Sequence, residues 1–367
     1  MQSLAVDGYS RLAVIAALHA TVRETVFEYE LLDQNNETLG LLDSVSGGSI
    51  KNNSLATNAN RTAKFSISDQ GVNYLSDRIR PWMKLRMPDG GHASWPLGVF
   101  ILSSPSRVIR SAGEHRKVEA YDQRLILLED REEDRYVITS GTNFVTAINT
   151  ILDSAGVTEH AIIATDKVLP ASRDWKAGTP KLRIINDLLG SINYSPLNFS
   201  SAGIALSRPY QRPSERAPGY EYAATDDSIL SPDLSIELDS FGVANKWVAT
   251  VSEADRLPLT SVYTNVEPSS PTSTVSRGRT IVDFRSVDAA DQESLDAIVA
   301  RIAFEASQLY EKVELETALM PHHENNEVVQ VTYPRAGISA KYTEHKWSLP
   351  LQAGAGMKHT LRRVVTV

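Results

Sequence analysis

The sequence predicts an α+β fold that is mainly β: two antiparallel strand-rich regions, barrels or sandwiches, flank a small mixed α/β region. Three observations lead there. Short period-2 stretches recur near both ends of the chain, as in Ala63, Phe65 and Ile67 against Lys64, Ser66 and Ser68, and again in Trp247, Ala249 and Val251. Two stretches of helical period fall between them. At 367 residues, 42% hydrophobic and 22% charged, the chain has the make-up of an ordinary globular protein and the length of two or three domains.

Residues 1–24 are predicted to form an N-terminal helix or arm that docks on a neighbour. The apolar run from Leu12 to Leu18 is far shorter than the roughly 20 residues of a membrane span. With Asp7 before it and no convincing small-residue cleavage site, it does not read as a signal peptide either. Residues 25–128 read as the first β domain. Val26 to Leu32 is a strand, Asp33-Gln34-Asn35-Asn36 a turn, and Gly47-Gly48 a break before further extended segments. Met83, Leu85 and Met87 alternate with Lys84 and Arg86, and Asp89-Gly90-Gly91 supplies residues that tolerate φ > 0, so this segment and Trp95 to Leu102 form a hairpin.

Residues 129–231 are predicted to be the mixed domain, opened by the solvated charge run Glu129 to Arg135. Phe144, Ile148, Ile151, Leu152 and Ala155 share a helical face, with Thr142 as N-cap and Gly156 as stop. A second helix has Thr179 as N-cap, Pro180 in its first position, the stripe Leu182, Ile185, Leu188 and Leu189, and Gly190 as terminator. Pro209, Pro213 and Pro218 mark residues 207–219 as an irregular loop.

Residues 232–367 return to strands at Leu234, Ile236 and Leu238. The stretch Pro268 to Thr274 is too poor in apolar residues to form an element and reads as a long loop. Ala289 to Glu311 carries the strongest helical stripe, with Leu295, Ile298, Val299, Ile302, Ala303, Ala306 and Leu309 on one face, and is expected to pack across this second β domain. Strands resume at Val313 to Leu319, Glu327 to Tyr333, Tyr342 to Leu349 and His359 to Val367.

Motifs for chemistry are sparse. There is no GxGxxG, no GxxxxGK[ST] and no GxSxG, and Gly47-Gly48 and Gly354-Ala355-Gly356 lack the context of a phosphate loop. The absence of cysteine removes disulfides, thiolate nucleophiles and sulfur-ligated zinc. Asp226-Asp227 are paired carboxylates in a loop context beside Thr225 and Ser228, without the two environments that a catalytic dyad needs. Of 8 histidines, only His322 and His323, followed by Glu324, resemble a metal cluster. Adjacent histidines on an extended strand point to opposite faces and cannot easily share one ion, so between Pro321 and Asn325-Asn326 they read as a surface turn. Nothing places His345 as a third ligand. The expectation is therefore no enzyme, no catalytic residue, no metal and no cofactor. A net charge of -8 also disfavours a nucleic-acid-binding surface dominated by positive charge.

The ordered phrases Glu30-Leu31-Leu32-Asp33, Gly47-Gly48-Ser49, Ile79-Arg80-Pro81, Trp95-Pro96-Leu97-Gly98-Val99-Phe100 and Val118-Glu119-Ala120-Tyr121-Asp122 resemble the N-terminal barrel of phage tail hub proteins, often labelled minor tail proteins in phages of actinobacteria. Gly141-Thr142 to Gly156, Ile185 to Leu189 and Tyr194 are similar to that family's mixed domain. Asn245 to Val248, Pro268 to Thr274, Gly278-Arg279 and Met357-Lys358-His359 are similar to its second barrel, so the likeness covers nearly the whole chain. The resemblance implies two tail-tube-type barrels per subunit and a homotrimeric ring of six barrels, joining a sixfold tail tube to threefold tip proteins at the tail tip or baseplate of a virion. The partners it implies are the chain itself, a distal tail or tail-tube protein, the tape-measure protein, and tail-tip or receptor-binding proteins, with DNA only as transient cargo and no stable membrane insertion. An acidic lumen would suit that passage. Two other readings stand beside it: a host-surface or carbohydrate-binding module using Trp82, Trp95, Trp175, Trp247 or Trp347, and a metal-dependent hydrolase using His322, His323 and Glu324.

Overall fold

The computed structural model describes residues 1–68, 71–110, 113–225, 228–238, 241–251, 258–307 and 311–363. Asp226-Asp227, Leu309 and the end of the last expected strand lie outside the described residues. A 15-stranded sheet dominates. Its main path runs from Leu230–Leu238 through Glu311–Ala318, Gly356–Arg363 and Ile338–Pro350 to Val45–Asn53 and Arg61–Ile67. From there it continues through Gly113–Asp122, Phe100–Leu102, Arg78–Arg86 and Thr25–Leu32 to Thr38–Leu41. Ser106–Arg110 flanks Gly113–Asp122, and Tyr220–Ala223 pairs in parallel with Glu327–Tyr333.

The two strand-rich regions are thus hydrogen-bonded to each other. Lys346–Pro350 pairs antiparallel with Ser49–Asn53, and side chains on either side of this seam line up across the sheet. Glu316, Lys358, Ser348, Lys51, Thr62 and Tyr121 follow one another in a cross-strand row on the outward face. Leu315, His359, Trp347, Asn52 and Arg61 form a row on the buried face. One apolar core serves both regions, including Phe65, Ile79, Trp95 and Phe100 from the first and Val313, Leu315, Trp347 and Leu361 from the second. The hairpin of Arg78–Arg86 and His92–Pro96 forms as its alternation predicts, with Met83, Leu85 and Trp95 buried and Gly90 at φ 89° in the turn.

The N-terminal helix Arg11–His19 is capped by Ser10 and lays Val14 and Leu18 into this same core, leaving Leu12 exposed. The middle region has its own core, built by Phe144–Ser154 and Lys181–Ser191 around Ile148, Ile151, Ile185 and Leu188. A third core lies under the helix Gln292–Ser307. Leu295, Ile298, Val299 and Ala303 pack on Trp247, Ala249 and Val251 of a separate three-stranded sheet formed by Lys246–Val251, Leu259–Thr264 and Val282–Ser286. The helix expected to cross the second β domain therefore covers this small sheet, whose apolar face matches its stripe.

Several local expectations are corrected. Gly47-Gly48 is a bulge inside Val45–Asn53: Gly47 sits at φ +76°, and a Cβ on Gly48 would meet the Lys64 carbonyl oxygen at 2.3 Å. The cap of the first middle helix is Asn143, whose side chain accepts from both Val145 and Thr146 amides. Thr179 turns its hydroxyl to the Lys176 carbonyl, so Pro180 is the cap of the second, which runs through Gly190 until Asn193 takes φ 55°. The stretch expected as a loop ends by capping the short helix Thr274–Arg277 through Ser273, and Ser270, Thr272 and Ser273 are buried. Asn265 organises it: its side chain donates to Ser270 Oγ at 3.0 Å and its carbonyl accepts from the Thr274 amide at 2.9 Å. Hydroxyls paired internally can be buried without apolar neighbours.

Arg61 ties these parts together, and Glu30 fastens strands within the first of them. Arg61, almost fully buried, donates to Glu324 Oε2 at 2.8 Å, Ser201 Oγ at 2.9 Å and the Leu97 carbonyl at 3.2 Å, and lies over the Trp347 ring. It thereby joins the first strand region, the middle region and the C-terminal strands. Glu30 accepts from Arg80 Nε at 2.7 Å, Trp82 Nε1 at 2.9 Å and the Thr38 hydroxyl. Burial opposes its charge, but these donors outweigh burial and hold its pKa down to about 2.

Arg61→Ala is expected to cost about 3 kcal/mol in urea unfolding, because Glu324 is left without its charge partner, with part of that loss recovered when Glu324→Gln is added. Glu30 has a folded pKa below its ordinary value, so its contribution is complete above about pH 4.5 and is lost as pH falls towards about 2. Stability measured across that window should therefore decline less steeply in Glu30→Gln than in the parent.

Candidate functional site

The turn after Glu311–Ala318 carries Pro321, His322, His323 and Glu324. A turn forms there, with Asn326 at φ 54°, but it folds inward: His322 and His323 are only 1% and 2% exposed. The expected surface turn is corrected by the aromatic cover that Tyr220–Ala223 places over it. The His322 ring lies 5.0 Å from that of Tyr220, and His323 stacks on Tyr222 at 6.0 Å with an interplanar angle of 7°.

The three consecutive candidates do not converge. Glu324 turns to Arg61 and to the Ser201 amide, while His345 lies 3.1 Å from Ser54 Oγ, its pKa lowered to about 4 by burial. His323 instead meets two residues that the sequence reading passed over, Glu344 and His359. His323 Nδ1 is 2.5 Å from Glu344 Oε2, and His359 Nδ1 is 2.5 Å from Glu344 Oε1. Around them, the Tyr222 hydroxyl lies 2.5 Å from His323 Nε2 and Thr317 Oγ1 lies 2.9 Å from His359 Nε2. Burial alone would raise the Glu344 pKa, but the adjacent histidines override it and bring it to about 2. The tyrosine hydroxyl is pushed well up by burial.

A signal for Glu344 was present in the strand text. Tyr342 and Trp347 cannot share a face under strict alternation, yet both are core residues. The register shift between Glu344 and Lys346 resolves this by returning Trp347 to the core face on which Tyr342 and, by alternation, Glu344 already lie. No comparable signal marked His359, which reads as one residue of an ordinary alternating strand.

An open cleft of about 1290 Å³ runs between the middle region and the C-terminal strands. Arg208, Arg216, Arg301 and Arg362 line it with Tyr210 and Glu305. Arg301 lies over the Tyr210 ring at 4.4 Å and donates to the Tyr194 carbonyl, so it serves the wall of the cleft. Trp95, Trp175, Trp247 and Trp347 are buried, and Trp82 is half-buried on Glu30; the aromatic face that a carbohydrate-binding surface needs is not formed by these residues.

The most extensive candidate surface is the continuous sheet itself. Its outward face carries Lys51, Lys64, Lys117, Lys346 and Lys358 among Ser49, Ser66, Thr62, Ser348 and Thr360, with Glu119 paired to Lys64 at 2.9 Å. This face is mixed and lysine-bearing, although the chain as a whole carries a net charge of -8. Its edge strands include Leu230–Leu238 at one end of the main path and Ser106–Arg110, which branches from Gly113–Asp122, while Thr38–Leu41 forms the other end of the path; Ile236 is 43%, Leu238 67% and Ile109 71% exposed. Apolar side chains on terminal strands are a liability unless another chain covers them.

No family model matches the sequence, and no curated protein matches it. Among solved structures, the fold is similar to that of a tail protein from Neisseria meningitidis, with a TM-score of 0.65 at 12% identity over 92% of this chain and 96% of that one. It is also similar to the 43 kDa tail protein of prophage MuSo2 from Shewanella oneidensis, with a TM-score of 0.62 at 10% identity over 92% and 98% of the two chains. Prophage tail protein gp18 from Listeria monocytogenes gives 0.56 at 11% identity over 91% and 94%. At these identities the likeness is one of fold, and it extends end to end.

Proposed function

We propose that this chain is a structural protein of a phage-type tail, acting as a hub at the tail tip. The observation that carries the reading is an end-to-end fold likeness to three tail proteins, at nearly full coverage of both chains. The continuous sheet supplies the physical means. Two of its edge strands differ from each other, so pairing Leu230–Leu238 of one copy with Ser106–Arg110 of the next is a head-to-tail contact, and such contacts form a ring where the rotation between copies closes. Exposed Ile236, Leu238 and Ile109 would be covered by that contact.

In this reading each subunit contributes two tube-like units, one from each side of the seam. Three copies present six units to a sixfold tube and three equivalent surfaces to the tip. The outward sheet face would line the channel. Its hydroxyls and interspersed charges form a hydrated wall without a long run of either sign, suited to DNA passing as cargo. The distal tail or tube protein, the tape-measure protein and tail-tip or receptor-binding proteins are the proposed neighbours, and the virion tail tip the proposed location. No step of chemistry is assigned to the chain.

Light scattering and negative-stain imaging of the purified chain under assembly conditions, with and without tail partners, should show a trimeric ring. Ile236→Lys combined with Leu238→Lys should abolish the ring while changing monomer stability by less than about 1 kcal/mol, since both side chains are solvent-exposed. A chain that remains monomeric even with its tail partners contradicts the proposal.

A further inference from the structure

We propose that His323, Glu344 and His359 form a buried structural site for a divalent transition-metal ion of the zinc class. The three residues come from separate parts of the C-terminal strand region: the inward turn, the bulged strand Ile338–Pro350 and the strand Gly356–Arg363. Their donor atoms all lie within 4.8 Å of one another, close to the span of a coordination sphere with bonds of about 2.0–2.2 Å. Two imidazole nitrogens and a carboxylate suit zinc and its neighbours, and disfavour calcium or magnesium, which prefer all-oxygen shells.

Both rings meet the one carboxylate: His323 Nδ1 is 2.5 Å from Glu344 Oε2 and His359 Nδ1 is 2.5 Å from Glu344 Oε1. Protons shared at those two contacts are what a bound metal would displace, with the donors spreading to the separation that its bonds set. Metal-bound histidines ordinarily pass their second ring N–H to an oxygen, and here Thr317 and Tyr222 stand at the second nitrogen of each ring.

Enclosure makes the role structural. His323, Glu344 and His359 are all buried, and Tyr222 and His322 close over them, so the ion would tie the turn to two strands and leave no place for a substrate. This differs from the hydrolase reading, since Glu324 is committed to Arg61. It is also independent of ring formation, because every residue involved lies inside one subunit.

The test is metal analysis of the full-length chain purified without chelators and dialysed after zinc loading. About one zinc per chain is expected. Replacing zinc by cobalt(II) should give the visible absorption of a site with nitrogen and oxygen donors in low coordination. His359→Ala should lower the bound metal at least about tenfold, as loss of a ligand requires, while the distant His160→Ala keeps it. Chelation should lower the melting temperature of the parent but not of folded His359→Ala. Should His359→Ala fail to fold, the parent still decides the matter. A parent chain holding no metal and giving no cobalt spectrum means that a proton occupies the gap at His359, and overturns the proposal. Equal metal loss in His160→Ala overturns it as well.

Discussion

The seam between Ser49–Asn53 and Lys346–Pro350 is the constraint on which the rest of the structure depends. Side chains alternate across a strand, so a slip of one residue would exchange the two faces of everything that follows. With the seam in register, Asn52 and Trp347 lie inside and Lys51 and Ser348 lie outside, and the same division continues into the flanking strands. The buried row that contains His359 and Trp347 ends on Arg61. From there the guanidinium reaches Glu324 and Ser201, which positions the inward turn and the middle region together. The Arg61 node and the buried histidine cluster are consequences of one ladder.

Polar groups inside this core are tolerated because they are paired. Asp122 accepts from the backbone amides of Arg61 and Arg124, and burial still raises its pKa. Glu311 accepts from Tyr342 and from Arg363, joining the strands next to the histidine cluster. Removing one member of such a pair costs more than the pair contributes, because its partner is left dry and unmatched. That asymmetry favours a single arrangement of the strands. In the proposed ring, a wall that meets copies of itself would need such uniqueness, since each new contact would inherit the register of the previous one.

Much of the fold was legible in the sequence because burial is periodic. Ala63, Phe65 and Ile67, the hairpin around Met83 and Leu85, the middle helices and the stripe of Gln292–Ser307 all appear where alternation or helical period places them. What the text did not disclose was pairing between distant segments. No local pattern says that Lys51 faces Ser348, and none says that the strongest helix covers a small sheet of its own. The misread positions share a cause. Gly47-Gly48, Ser270 to Ser273 and His322-His323 look like surface punctuation by composition, yet bulging, internal hydroxyl pairing and aromatic cover bury or reshape them. Alternation from Tyr342 turns Glu344 inward, but only the pairing of Ile338–Pro350 with Gly356–Arg363 brings it to His359.

Hydrogen exchange of the seam amides tests the central claim most directly. If the seam unites the two strand regions, the amides of residues 49–53 and 346–349 should exchange only through global unfolding, with the same free energy as the ladder between Arg61–Ile67 and Gly113–Asp122. Seam amides that exchange through a much lower barrier, while each strand region keeps its own protection, would show two independent units and contradict the account.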